Sequence, residues 1–427
     1  MKEKNKGDPM LVVDLEYRLK DPMGVSQGKG RCEIFQEYVQ ITPEFYQPIL
    51  FSYRNILKVD HGDYRIRLKL GPEQEILLTK LGYQYDPCIK SILENRNEMM
   101  IKDMLAHERL HRKGVRAEYK MSTGEGMEEQ GTCELRFYET ALILITHSGR
   151  MYRISYCFID GVRGVDYSLN ITTKFQGEFI LSKLGRELDP TKKLLSERIN
   201  QRSLETQLYL KEKFPNLDSL ALRQAADLLK EGLAVNINDL AEISPLLQEG
   251  LEDLLVPANI KEEYDFLSGL AQRSKVCIGL KRSLLGDITG DYIWFIAPIY
   301  HLDPNQPGNV LVMEAANIGE TEGRATYLFR MLDWEEYRSY RDIRELHQAV
   351  DEFIERFNRC MIAINFRREP IYLSQETIDQ PKYNHYRVAV GAMRELQFLR
   401  EHFIGRVYHR SLEQWKEDLI KMIPQEV

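Results

Sequence analysis

Long apolar runs are missing from this sequence. No stretch approaches the roughly 20 residues that a membrane-spanning helix requires, so no transmembrane segment is expected. The start, Met1-Lys2-Glu3-Lys4-Asn5-Lys6, is basic but no apolar segment follows it, so no secretory signal is expected. Cysteine is scarce and scattered: Cys32, Cys88, Cys133, Cys157, Cys277 and Cys360 form no C-x-x-C pair. That spacing fits reduced thiols in a cytoplasmic protein better than a disulfide framework or a structural zinc site. An excess of positive charge is lacking too. Lys and Arg number 58 against 65 Asp and Glu, a net charge of −7, the opposite sign from a general nucleic-acid binder. There is no P-loop, no G-x-G-x-x-G after a strand and no G-x-S-x-G elbow.

What is present is an ordinary globular composition, 43% hydrophobic and 29% charged over 427 residues, enough for about three domains. The richness in Met (14) and Tyr (23) reads as core packing or interface surface.

The chain also contains an internal duplication. Cys32-Glu33 recurs as Cys133-Glu134, and Ser52 to Asn97 aligns without gaps onto Ser155 to Asn200, with sixteen of forty-six pairs identical. The longest shared block is Lys80-Leu81-Gly82 with Asp86-Pro87, repeated as Lys183-Leu184-Gly185 with Asp189-Pro190. Within each copy the apolar period is first two and then helical. Tyr64, Ile66, Leu68 and Leu70 alternate with Arg65, Arg67 and Lys69, the pattern of a half-buried strand, and Tyr167, Leu169 and Ile171 repeat it. A further strand is expected at Glu75 to Leu78 and again at Glu178 to Leu181. Asp-Pro is then expected to start a helix in each copy, Asp as the N-cap followed by proline at the first helical position.

This order of antiparallel strands closed by one helix resembles the pleckstrin-homology-like (PH-like) superfold, a bent barrel plugged by a C-terminal helix. The segment Phe51-Ser52-Tyr53-Arg54-Asn55-Ile56-Leu57-Lys58-Val59 is similar to the Φ-x-Y-x-x-I-x-x-V strand of such domains, and Ile154 to Val162 is its partner. The resemblance covers residues 10–113 and 114–213. It implies two tandem bent β-barrels and a tendency to bind peptides, partner proteins or lipid head groups, with no catalytic residue attached.

Residues 214–270 read as a helical connector; a helix-turn-helix reading of it lacks a basic second helix. Residues 271–427 read as a C-terminal α+β domain with an antiparallel sheet and helices on one side. Strands are expected at Val276–Leu280, Tyr292–Ile299, Val310–Ala316 and Arg324–Met331, then one long helix from about Trp334 to Ile364, a helix after Pro381 and a last helix at Leu412–Met422.

Three groups of residues are candidates for chemistry. His107-Glu108-Arg109-Leu110-His111 matches H-E-x-x-H on an expected helix, where spacing of four puts both imidazoles on one face for zinc and leaves Glu108 as general base. Glu118, Glu128 or Glu134 would have to supply a third ligand. Arg109 and Arg112 argue against the metal, and the simpler expectation is a solvated helix end with no cofactor. Arg65, Arg67 and Lys69 project to one side of a strand, next in sequence to Arg54 and Lys58, and form a candidate anion or lipid contact. In the C-terminal domain, Asp287, Asp291, Glu314, Arg324 and Arg330 join Arg367, Arg368 and Glu369 as a candidate small-molecule or phosphate site.

The sequence is therefore expected to encode a cytoplasmic, non-catalytic adaptor that binds a protein partner through its repeats, with peripheral contact to an anionic lipid or phosphate as a further expectation and nucleic acid disfavoured. The alternatives are a zinc hydrolase using His107, Glu108 and His111, or small-molecule binding by the C-terminal domain.

Overall fold

The alternation of Val13, Leu15 and Tyr17 with polar neighbours produces the first strand, and those three side chains are buried. The computed structural model describes residues 8–71, 73–104, 108–122, 128–147, 150–282, 291–303, 306–318 and 324–424. They divide into two compact units, residues 1–106, 110–154 and 158–192 in one and 107–109, 155–157 and 193–427 in the other. The fold is mixed α+β with antiparallel sheets.

In the first unit the strands are β1 (Leu11–Asp21), β2 (Gly24–Ile34), β3 (Tyr38–Pro43), β4 (Ile49–Ser52), β5 (Lys58–Gly62), β6 (Arg65–Lys69) and β7 (Glu75–Thr79). They form an antiparallel seven-stranded sheet in the order β4-β3-β2-β1-β7-β6-β5. Helix α1 (Tyr85–Asp103) contributes Cys88, Ile89, Ile92 and Met99 to the same apolar core as Ile34, Val39, Ile66 and Leu68.

The second copy repeats this with β8 (Leu110–Ser122), β9 (Glu128–Tyr138), β10 (Ala141–Thr146), β11 (Met151–Ser155), β12 (Ile159–Val165), β13 (Ser168–Thr173) and β14 (Gly177–Ser182). Their order, β11-β10-β9-β8-β14-β13-β12, is that of the first sheet. Helix α2 (Leu188–Lys213) follows.

The duplication extends to backbone detail. Asp63-Tyr64 and Asp166-Tyr167 are two-residue hairpin loops with both φ positive, 48° and 57° in one copy and 45° and 60° in the other. That conformation matches strand twist and is the primed turn of a tight hairpin. After the last strand of each copy, Lys80 and Lys183 take φ of 58° and 56° and reach Glu16 and Glu118, each at 2.7 Å. The copies also meet each other: buried Arg136 of β9 lies 2.9 Å from Glu98 of α1 and 2.8 Å from Glu134.

The second unit is built on one sheet. Helices α3 (Ser219–Leu229), α4 (Ile237–Ile243), α5 (Pro245–Leu254) and α6 (Lys261–Leu270) flank the short β15 (Val235–Asn236) and lead to β16 (Cys277–Lys281), β17 (Tyr292–Ile299), β18 (Val310–Asn317) and β19 (Ala325–Arg330). Then come α7 (Trp334–Ser339), α8 (Ile343–Ala363), α9 (Glu369–Tyr372), α10 (Gln375–Ile378), α11 (Asn384–Ala392), α12 (Arg394–His402), β20 (Phe403–Tyr408) and α13 (Leu412–Met422). The six strands pair in the order β15-β16-β17-β18-β19-β20.

Several expectations are corrected here. Helices lie on both faces of this sheet. Leu222, Leu240, Leu251 and Leu267 of α3–α6 share a core with Ile278, Phe295, Val312 and Leu328, and Trp415 and Leu419 of α13 join it. On the opposite face Phe329 meets Phe357 of α8, ring centres 4.7 Å apart. The helices expected as a connector thus share their apolar core with the C-terminal sheet. The single helix expected over Trp334–Ile364 is broken at Tyr340–Arg341 into α7 and α8, and Asp342 caps the second piece. Strand β20 had no counterpart in the sequence reading.

Candidate functional site

The chemistry-bearing residues of the second unit are sorted by strand parity. Along β17 to β20, Phe295, Val312, Glu314, Thr326, Leu328 and Val407 turn to one face of the sheet. Tyr292, Trp294, Ala315, Tyr327, Arg406 and Tyr408 turn to the other, where they line a cavity of about 550 Å³. Lys281, Phe366, Arg367, Arg368, Glu369, Tyr372 and Tyr386 also line it.

Local backbone geometry puts the loop residues there. Helix α8 ends at Ile364, and Asn365 and Phe366 follow with φ of 51° and 57°. Their amides donate to the carbonyls of Ile362 and Met361, so two consecutive left-handed residues reverse the chain and bring Arg367 and Arg368 back over the sheet. An aromatic residue in that region costs about 1–2 kcal/mol. The Phe366 ring is held edge-on to Trp294 at 5.2 Å, with the Lys281 ammonium 5.4 Å from its centre. Trp294 is fixed in turn by donating its indole N–H to the Gly232 carbonyl at 2.8 Å. It lies across from Gly279, where an added Cβ would come within 2.5 Å of the indole nitrogen. Glycine is required at that close approach.

The electrostatics are one-sided. The lining carries four cationic side chains, Lys281, Arg367, Arg368 and Arg406, and one carboxylate, Glu369. Lys281 is buried, with its ammonium 3.4 Å from the Glu231 carbonyl and 3.9 Å from the Glu231 carboxylate. Arg368 and Arg406 have no carboxylate partner among the described residues; they rest on aromatic rings. The Arg406 guanidinium lies 3.6 Å from the centre of Tyr372 and 4.7 Å from that of Tyr408, and Arg368 lies 5.5 Å from Tyr327. Burial pushes the Tyr327 hydroxyl's pKa up, against the pull of Arg368 and Arg406, so its ring stays neutral. Glu369 accepts the Tyr386 hydroxyl at 2.7 Å. Such a set of half-buried, ring-stacked guanidinium groups is suited to holding an anion.

On the other face of the same strands sits an ionic network. His409 Nδ1 is 3.0 Å from Glu263 and Nε2 is 3.0 Å from Glu314, which is wholly buried. Thr326 donates to Glu314 at 2.5 Å and accepts the Trp415 indole N–H at 2.8 Å. Burial alone would lower the His409 pKa, but hydrogen bonds to both carboxylates outweigh it and raise it to about 9. Burial would raise that of Glu263, and the bond from His409 instead holds it below the ordinary value. The network is a structural clamp between α6, β18 and the segment after β20.

The third sequence candidate is therefore divided. Arg367, Arg368 and Glu369 line the cavity, whereas Glu314 belongs to the clamp behind the sheet. Asp291 is paired with Lys213 at 3.1 Å, and Arg324 donates to the Asn259 carbonyl. Arg330 is exposed, and Asp287 lies outside the described residues. Lys281, Tyr327, Tyr372, Arg406 and Tyr408 were missed. The one available signal was the alternation Arg406-Val407-Tyr408, too short to stand out after a helix.

The helix expected under H-E-x-x-H ends at Asp103. His107 lies outside the described residues, Glu108 is in a bend and His111 is on β8, so Glu108 and His111 do not share a helical face. A strand of spacing two cannot reproduce the i, i+4 juxtaposition the motif needs. Among the described residues no group of three His, Cys, Asp or Glu side chains is placed to hold a metal ion.

Arg65, Arg67 and Lys69 are exposed on one face of β6 as expected. Arg67 is opposite Asp60 and 3.5 Å from Glu75, while Lys69 is opposite Lys58. Arg54 is not part of that face: its guanidinium grips Asp103 at 2.5 and 2.7 Å.

Compared with known proteins, the chain matches no family model and no curated protein sequence.

Proposed function

We propose that this protein works by binding: its C-terminal unit captures a small anionic ligand, and its two repeats dock a protein partner. The cavity carries the first part, because Arg368 and Arg406, which have no carboxylate partner among the described residues, leave positive charge in its wall that an anion balances. The volume of about 550 Å³ suits an organic ligand. The test is calorimetric titration of the full chain with pyrophosphate and with citrate, beside Arg406→Ala. One anion bound per chain and lost in the variant is expected; no heat from any anion would overturn the reading.

The repeats support the second part. Two sheets of identical strand order, the first with a helix in its core, agree with two PH-like bent barrels, each closed by its C-terminal helix. Tandem modules gain effective concentration from their linkage. On this reading the face bearing Arg65, Arg67 and Lys69 is the place for contact with an anionic lipid or phosphate. That contact predicts salt-sensitive co-sedimentation with phosphatidylserine vesicles, abolished by reversing the three charges. Among the described residues no helix is long and apolar enough to cross a membrane.

A further inference from the structure

The cavity holds two features that a bare anion would leave unused. One is its size: about 550 Å³ lies within the range of pockets that enclose drug-sized organic ligands, and an inorganic anion would leave most of it to water. The other is Glu369. Although it lies among cationic side chains, it is ion-paired with none of them among the described residues, and it accepts the Tyr386 hydroxyl. A carboxylate in that setting accepts hydrogen bonds from a ligand that also carries N–H or O–H groups. Tyrosine rings line the same cavity. Tyr292 lines the wall and Tyr408, about half exposed, forms an aromatic edge of the cavity. A planar heterocycle stacks on such rings whatever its sequence of heteroatoms.

We infer that the ligand is a nucleotide, its phosphate held by Arg367, Arg368 and Arg406, its base against the tyrosine wall and its donor edge on Glu369. The inference rests on the anion-binding reading above. The missing P-loop and G-x-G-x-x-G motifs do not oppose it, because here the phosphate is taken by guanidinium groups, two of them resting on tyrosine rings, and not by a helix N-terminus.

The experiment is titration of the full chain with AMP, GMP, CMP and UMP, against ribose 5-phosphate and inorganic phosphate, repeated in Glu369→Gln. At least one nucleotide is expected to bind about ten-fold or more tighter than ribose 5-phosphate, the contribution of one stacked base. Glu369→Gln removes a negative charge beside the arginines and so favours every phosphate ligand alike, but it is expected to narrow the gap between nucleotide and ribose 5-phosphate, which a merely structural role would not do. Ribose 5-phosphate binding as tightly as every nucleotide would overturn the inference and leave the anion reading standing. Absence of binding by all six would overturn the inference, and absence of binding by pyrophosphate and citrate as well would overturn both. Circular dichroism of the variant separates lost selectivity from lost fold.

Discussion

Arg406 sits over the Tyr372 ring, its guanidinium carbon 3.6 Å from the ring centre, and the neighbouring Tyr408 ring flanks it at 4.7 Å. The stack orients a planar charge without neutralising it. Because Arg406 and Val407 point to opposite faces of β20, one strand carries both the cationic wall and part of the apolar core.

Replacing Arg406 by lysine tests whether the planar fork matters. The charge is kept, but the two-pronged hydrogen bond and the ring stacking are lost. A roughly ten-fold loss of pyrophosphate affinity is expected, about 1.4 kcal/mol. Equal affinity by calorimetry would show that a point charge suffices.

The His409 clamp makes stability depend on pH. In the unfolded chain this imidazole titrates near its ordinary value of about 6.5, and in the folded chain near 9. The folded state therefore binds the extra proton between those values, so the stabilisation is complete below pH 6.5 and is lost as pH rises through about 9. The melting temperature is expected to fall from pH 7 to 9.5 more steeply in the native chain than in His409→Gln. Glu263 works in the other sense: its contribution is present above its unfolded value and is lost as pH falls. Parallel slopes for the two chains above pH 7 would refute the assignment.

Arg54 and Asp103 should respond unequally to truncation. Asp103 is 1% exposed and Arg54 26%. Arg54→Ala strands a buried carboxylate and is expected to cost about 3 kcal/mol, at the lower end for a broken buried pair. Asp103→Ala frees a partly exposed guanidinium to reach water and should cost about half as much. Urea unfolding of the three chains checks it; a larger cost for Asp103→Ala would contradict the desolvation argument.

Tyr64 and Tyr167 occupy equivalent positive-φ positions, but only Tyr64 has a ring neighbour among the described contacts, Tyr85 at 5.4 Å. Glycine removes the left-handed penalty of about 1–2 kcal/mol and adds an unfolded-state entropy of about 0.4–1 kcal/mol. Tyr167→Gly is expected to stabilise by about 0.5–1 kcal/mol and Tyr64→Gly by less. Differential scanning calorimetry distinguishes them, and destabilisation by Tyr167→Gly would show that this ring has a partner.

The duplication was legible in the sequence because it is written in local residues. Asp-Tyr hairpin loops, Lys-Leu-Gly corners and Asp-Pro helix starts impose the same backbone wherever they occur, so pairs separated by 103 positions predicted the same elements twice. The strands of the C-terminal sheet were legible for a similar reason, as period-two runs. The cavity was not. Its walls come from Lys281, Tyr292, Tyr327, residues 366–372 and Arg406, which are far apart along the chain and marked by no shared spacing. Only the pairing of β16 to β20 brings them to one face, and the same pairing carries Glu314 through to the other, away from the arginines it was grouped with. The H-E-x-x-H match failed for a related reason. Its helical reading depended on where α1 stops, and α1 stops at Asp103, so that His111 is drawn into β8 by pairing with a distant strand. The sequence by itself determined the repeat and the local turns, because these rest on contacts between near neighbours. The ligand cavity and the His409 clamp were decided by tertiary structure alone, since strand register sets which face of the sheet each side chain occupies.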